Sequence, residues 1–179
     1  MSATVKIHDL SFAPYITQSK LEERIKVLAQ NLDAQFLGKD PVFLAVLNGA
    51  FMFASDLFKM LKCQPELSFV KVSSYMGTQS TGRVDELIGL QTSLKDRHVI
   101  VIEDILDTGV TMDKIMSLLQ AEQPASISIC ALLIKPNTYM GKYAPQFIGF
   151  EIDDAFVVGY GLDYKERGRE LPAIYQLIK

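Results

Sequence analysis

The chain has no tryptophan, and only two cysteines and two histidines among its 179 residues. Two thiols, Cys63 and Cys130, do not make a disulfide framework in a chain this long, and unpaired thiols fit a reducing, cytoplasmic compartment. A Cys/His zinc centre would need both cysteines together with His8 and His98, at spacings that match no known finger. The net charge of −3 supplies no basic field for tracking a phosphate backbone, so nucleic acid is not an expected partner. No apolar run approaches the ~20 residues needed to span a bilayer. The opening MSATVKIHDL has no basic stretch followed by an apolar one, so neither membrane insertion nor a signal peptide is expected. Internal repeats and low-complexity tracts are absent as well.

What is there is an ordinary globular composition, 49% hydrophobic and 22% charged, at a length that suits a single domain over residues 1–179. Ser19 and Glu22 have the spacing of a capping box, and Leu21, Ile25, Leu28, Leu32 and Phe36 follow at intervals of three and four, which predicts a helix ending near Gly38 and Pro41. The runs Val42 to Leu47, Leu67 to Val72, Val99 to Ile102 and Ile127 to Ile134 read as strands, most of them continuously apolar and so buried on both faces. Between them, Ala50 to Leu61 and the stripe Met112, Ile115, Met116, Leu119 read as helices. Strand alternating with helix predicts an α/β fold with a doubly wound, mainly parallel sheet flanked by helices, whose ligands sit beyond the carboxyl ends of the strands. Residues 74–84, SYMGTQSTGRV, break the pattern and are expected to form a functional loop. From Gln146 onward, short strands at Phe156 to Val158 and Ile174 to Ile178 surround a charged stretch.

One stretch carries chemistry. In VIVIEDILDTGVTM (Val99 to Met112) a strand runs into Glu103, Asp104 and Asp107, then Thr108, Gly109 and Thr111 lead into a helix. The free N–H groups of a first helical turn, the positive end of its dipole, a glycine and two hydroxyls make a cradle for a phosphate monoester. The loop lacks the Gly-Lys-Ser/Thr ending of a Walker motif and the G-x-G-x-x-G of a dinucleotide site. The acids would repel a phosphate, so they must serve something else: a sugar diol, or Mg²⁺ held through water. Taken singly, Asp107 reads equally well as a helix cap and Glu103 and Asp104 as solvated strand-end residues.

The whole string resembles the phosphoribosyl diphosphate (PRPP) binding motif of the type I phosphoribosyltransferases, and EDILDTG is similar to their hypoxanthine-guanine branch. The likeness extends to LNGAFMFASDL, SSYMGTQSTG, LLIKP and FVVGYGLDYKERGRELP, that is, from about Leu44 to the C-terminus. It implies that fold, with a small hood formed by the N- and C-terminal segments, and transfer of ribose 5-phosphate from PRPP to N9 of a 6-oxopurine. It also implies Mg²⁺ as cofactor, PRPP and a purine base as substrates, and a homo-oligomer, dimer or tetramer.

By the same resemblance the 5′-phosphate sits on Asp107, Thr108, Gly109, Val110 and Thr111, with Glu103 and Asp104 by the ribose hydroxyls and a metal. Asn48 and Gly49 lie in the first active-site loop, which the resemblance gives a cis peptide between Leu47 and Asn48. Ser74 and Tyr75 form the tip of a mobile loop, and Arg169 contacts pyrophosphate. Asp107 is the implied general base at N7. Lys135 would donate to O6, which admits a 6-oxo and rejects a 6-amino purine. Phe156 would stack on the base, Val157 read its edge, and Asp163 lie by the base and hold a second Mg²⁺. For Lys135 the plain alternative is a lysine emerging into solvent; for Phe156 and Val157 it is a short core strand. Two residues depart from the family's habit. Asn48 stands where many members have lysine and Val110 where a basic residue is common, so weaker PRPP affinity or altered assembly is expected. Competing readings are a PRPP-sensing module without catalysis, a xanthine-preferring transferase, and a receiver-like domain with an acidic pocket.

Overall fold

The structure, a computed structural model, describes residues 4–73, 86–88 and 92–178. Its chain begins in a hairpin, β1 (Val5–Ile7) and β2 (Leu10–Ile16), paired through Val5 and Phe12. Helix α1 (Gln18–Phe36) follows and buries the expected stripe from Leu21 to Phe36. Its cap differs from the sequence expectation. Thr17, not Ser19, is the N-cap, its hydroxyl accepting from the Lys20 N–H at 3.4 Å, while Glu22 accepts from the Gln18 side chain at 2.8 Å instead of reaching back to a cap. Both residues are competent caps, and the one adjoining the end of β2 is used.

Then come β3 (Val42–Val46), α2 (Phe51–Met60), β4 (Glu66–Ser73), β5 (Glu86–Ile88), β6 (His98–Leu106), α3 (Val110–Ala121), β7 (Ser126–Ile134), β8 (Phe147–Glu151), β9 (Val157–Val158) and β10 (Ile174–Leu177). The main sheet has the order β5-β4-β3-β6-β7-β8, with β5 antiparallel to β4 and the other five strands parallel. Alternate residues feed two cores. Phe43, Ala45, Ile100, Ile102, Cys130 and Leu132 pack with α1 and α2, whereas Val42, Leu44, Val99, Val101, Ile129 and Ala131 pack with α3. Helices on both faces are why these strands read as unbroken apolar runs.

A second sheet, ordered β1-β2-β10-β9, joins the two ends of the chain and forms the hood, with its own small core of Phe12, Val158 and Tyr175. The arginine of α1, Arg24, donates to the carbonyls of Ile148 and Gly149 at 2.8 and 2.6 Å and so fastens the edge strand β8.

Candidate active site

Sequence reasoning ended the central strand at Ile102, with the acids beyond it. In the structure β6 runs on to Leu106, so Glu103 and Asp104 lie inside the strand. The two-residue alternation breaks across them: Ile102 and Ile105 both join the core of α1 and α2, and Leu106 turns to the core of α3. Glu103 is buried, with 8% of its surface exposed, and Asp104 is partly so. Burial, and then the adjacent Asp104 carboxylate, push the Glu103 carboxyl well above the usual range. Asp104 is also raised by burial, against the opposing pull of its bond with Glu103 and the field of Arg169. A buried acidic pair of this kind attracts a cation.

Immediately beyond, a cavity of ≈ 210 Å³ is lined by Glu103, Asp104, Asp107, Thr108, Gly109 and Thr111. Gly109 is the N-cap of α3 in the left-handed region, φ 90°, and its carbonyl accepts the helix's first bond from the Asp113 N–H at 2.9 Å. The N–H groups before Asp113 therefore have no partner within the helix, and Thr111 and Met112, which carry two of them, line the cavity. The glycine has a second reason that its sequence did not reveal. A Cβ there would lie 2.6 Å from the backbone of Gly141, so the segment after β7 packs directly on the loop that opens α3. Met140 N–H donates to the Thr108 carbonyl at 3.1 Å, and Lys142 N–H to the Asp113 carboxylate at 2.8 Å. Val110 is well exposed, and Thr108 and Thr111 are exposed too.

Lys135 overturns its plain reading. It does not emerge into solvent: 7% of its surface is exposed, and its ammonium donates to Asp107 Oδ2 at 2.8 Å, with Asp154 Oδ1 at 3.6 Å. Asp107 is about half exposed, and its other oxygen, Oδ1, accepts from the Thr138 hydroxyl at 3.1 Å. The segment that carries Asp154 leaves the end of β8 beside the end of β7, where Ile152 N–H donates to the Ile134 carbonyl at 2.9 Å, and leads to Phe156. Phe156 is 44% exposed and rests on Phe12 and Tyr164, the Tyr164 ring meeting it edge-on at 5.8 Å and 83°. Val157 is buried and pairs with Gln176 in the hood sheet. The exposed Phe156 ring thus lies two residues along the chain from Asp154, which faces the Lys135 ammonium.

On the other flank, Arg169 spends its fork on Asp163 Oδ1 at 2.7 Å and on the Gly161 carbonyl at 2.8 Å. Gly161 abuts the first loop, since a Cβ on it would fall 2.1 Å from the Gly49 carbonyl oxygen. Gly49 in turn abuts Asp104, whose Oδ2 would lie 1.5 Å from a Cβ at that position. A chain of close contacts therefore ties Asp163 and Arg169 to the acidic pair. The Leu47–Asn48 peptide is cis, and Asn48 is exposed. Ser74 and Tyr75, with the rest of the loop 74–84, lie outside the described residues. Among the described residues no three acids, cysteines or histidines group closely enough to hold a metal by themselves, so Glu103, Asp104 and Asp163 do not make one cluster.

Sequence reasoning missed Thr138, Asp154 and Tyr160. The Tyr160 hydroxyl donates to Asp56 Oδ2 of α2 at 2.5 Å and fastens the hood turn to the main sheet's helix layer. No local pattern marks any of the three, because each acts across more than 15 residues of sequence.

Residues 15–165 match the phosphoribosyl transferase domain family. This chain belongs to that family. It is 38% identical over 175 residues to the hypoxanthine-guanine-xanthine phosphoribosyltransferase of Tritrichomonas foetus, covering 97% of this chain and 95% of that one. It is 39% identical over 160 residues to the hypoxanthine-guanine phosphoribosyltransferase of Bacillus subtilis, covering 89% of each. The fold matches the crystal structure of a hypoxanthine phosphoribosyltransferase from Staphylococcus aureus with a TM-score of 0.85 and 39% identity, over 93% of this chain and 91% of that one. The phosphoribosyltransferase fold expected from the sequence is thus the one found.

Proposed function

We propose that this phosphoribosyltransferase serves purine salvage, transferring the 5-phosphoribosyl group of PRPP to N9 of hypoxanthine or guanine and releasing pyrophosphate. The observation that carries the reading is the pairing of the buried Lys135 ammonium with Asp107, whose carboxylate lines the cavity at the start of α3. A sensor needs the cradle alone. A transferase needs, in addition, a group that selects the base and one that takes its proton, and Lys135 and Asp107 offer both side by side.

The 5′-phosphate is bound by the first-turn N–H groups of α3 with the hydroxyls of Thr108 and Thr111, and the backbone of Asn48 and Gly49 lies on the pyrophosphate side with Arg169. Lys135 donates to O6; the amino group of adenine is itself a donor, so adenine leaves the buried ammonium unpaired and is rejected. Phe156 stacks on the base and Val157 reads its edge. As N9 bonds to C1′ and the bond from C1′ to pyrophosphate breaks, the N7 proton passes to Asp107. Positive charge gathers on the sugar during this exchange, and the carboxylates of the site face it.

Mg²⁺ suits the all-oxygen, charge-seeking pair Glu103 and Asp104, and Asp163 would hold a second ion; when bound, the metal neutralises the phosphates of PRPP. Residues 74–84, with Ser74 and Tyr75, are proposed as the loop that closes over the reacting centre, within one domain spanning 1–179. A homo-oligomer is proposed on the exposed Phe51 and Phe58 of α2, and sedimentation at several concentrations tests it. No helix among the described residues is long and apolar enough to cross a membrane, and the free thiols of Cys63 and Cys130 fit a cytoplasmic location.

The experiment is turnover with PRPP and Mg²⁺ against hypoxanthine, guanine, xanthine and adenine in parallel. Product from hypoxanthine and guanine with none from adenine is the expected result. A preference for xanthine would move the assignment to the xanthine branch, and binding of PRPP without product from any base would leave a sensor.

A further inference from the structure

Asp107 is held at both carboxylate oxygens, and the two donors differ in kind. Lys135 reaches Oδ2 through a long side chain at 2.8 Å and has a second counter-ion, Asp154, at 3.6 Å. Thr138 reaches Oδ1 at 3.1 Å through a single short bond vector from a closed turn. That turn is fastened on every side: Thr138 and Tyr139 N–H groups donate to the Lys135 carbonyl at 3.1 and 2.9 Å, Lys135 N–H donates to the Leu106 carbonyl at 3.0 Å, and Met140 N–H to that of Thr108 at 3.1 Å. The strand end that carries Asp107 and the turn that carries Thr138 are therefore one rigid unit.

The proposed reaction asks both members of the Lys135–Asp107 pair to serve the purine. The ammonium must donate to O6, and a carboxylate oxygen must accept from N7. When the ammonium turns to O6, Asp107 loses one of its two restraints and would be free to rotate about its side-chain bond. Misplacing a proton acceptor in this way lowers the rate without weakening the grip on either substrate.

We propose that Thr138 is the positioning residue of this site: its hydroxyl keeps hold of Asp107 Oδ1 while Oδ2 is released to the N7 proton. The chemistry is hydrogen bonding only, with no bond made or broken at Thr138. The hydroxyl also lies 3.3 Å from the Lys135 carbonyl, and its one proton can serve one of these acceptors at a time; the carboxylate, being charged, is the stronger.

The proposal rests on Asp107 as the base, so the test separates the two. Steady-state rates with PRPP and hypoxanthine are compared for the wild type, D107N, T138V, T138S and the double variant D107N/T138V. T138V replaces the hydroxyl with a methyl group of similar size; T138A reads the same loss if valine is not accommodated. The expected result is a fall of about tenfold or more in kcat for T138V, with KM for both substrates within about twofold of the wild type. T138S recovers most of that loss, and T138V adds little in the D107N background.

The inference is overturned if T138V keeps the wild-type kcat, if it raises KM at unchanged kcat, if T138S is as slow as T138V, or if T138V costs as much in the D107N background as in the wild type. If D107N itself turns over like the wild type, the assignment of the base fails instead, whatever Thr138 does.

Discussion

Glu103 and Asp104 stand four and three positions before Asp107, inside and just beyond the end of one strand, yet the fold treats the two groups of acids in opposite ways. The first pair is withdrawn from water beside each other's charge, and its carboxyls are raised by that burial. Asp107 is half exposed and gripped at both oxygens, by an ammonium and by a hydroxyl. Identical chemistry in adjacent places thus meets two environments, one that suits the proposed seat for a cation and one that suits the proposed proton acceptor. Environment, and not residue type, divides the labour.

The largest effect expected from breaking that division is at Asp107. D107N keeps the shape and the Thr138 contact but cannot take a proton, and kcat should fall by roughly 10²- to 10⁴-fold, the usual contribution of a general base. PRPP affinity measured by calorimetry should stay near the wild type; an equal loss in both would leave Asp107 a purely structural partner of Lys135 and Thr138.

K135Q comes next. It removes the partner of Asp107 and the O6 donor together, and replaces a cation by an amide that can both donate and accept. Selectivity for hypoxanthine over adenine, taken as the ratio of kcat/KM values, should narrow by about 10- to 100-fold. Unchanged selectivity would place base discrimination elsewhere.

G49A tests the other group of acids. The added Cβ overlaps the Asp104 carboxylate, but the obstructing atom is the end of a side chain, so the backbone stands and the carboxylate must move. We expect PRPP and Mg²⁺ binding to weaken by about tenfold, in the manner of a displaced supporting group, with the melting temperature little altered. Collapse of the fold would instead make Gly49 a packing residue.

The smallest effect sharpens the comparison by pH. The Glu103 carboxyl is raised in the folded chain, so between its unfolded value, near 4.5, and its folded one the native state binds the extra proton. Its contribution to stability is complete below the unfolded value and is lost as pH rises through the folded one. Metal-free protein should therefore melt at progressively lower temperature as pH rises from about 4.5 upward, and E103Q should flatten that slope. A slope unchanged in E103Q would assign it to another group.

How much of this was legible depended on distance along the chain. The cradle was readable because strand end, acids, glycine and hydroxyls are contiguous from Val99 to Thr111, and the interactions that shape a first helical turn are local. The doubly covered strands were readable from unbroken apolar runs. The strands β1, β2, β5 and β8 were not: β1, β5 and β8 lie at the edges of their sheets, and β2, though an inner strand, contains Pro14 and pairs with β10 from the far end of the chain. The extension of β6 through its acids was hidden as well, since carboxylates normally signal the end of a buried strand and only the neighbouring strands keep this one going.

By itself, then, the order of residues determined which loop opens α3 beside the acids and which sheet presents it, because propensity, capping and apolar periodicity act within a few residues. Tertiary structure alone decided that Lys135 is buried against Asp107, that Thr138 holds the far oxygen, and that Gly49 and Gly161 press the hood's turn onto Asp104. Those are contacts between side chains or backbones brought together from separate strands, and a charge or a clash exists only once both partners share the same few ångströms of space.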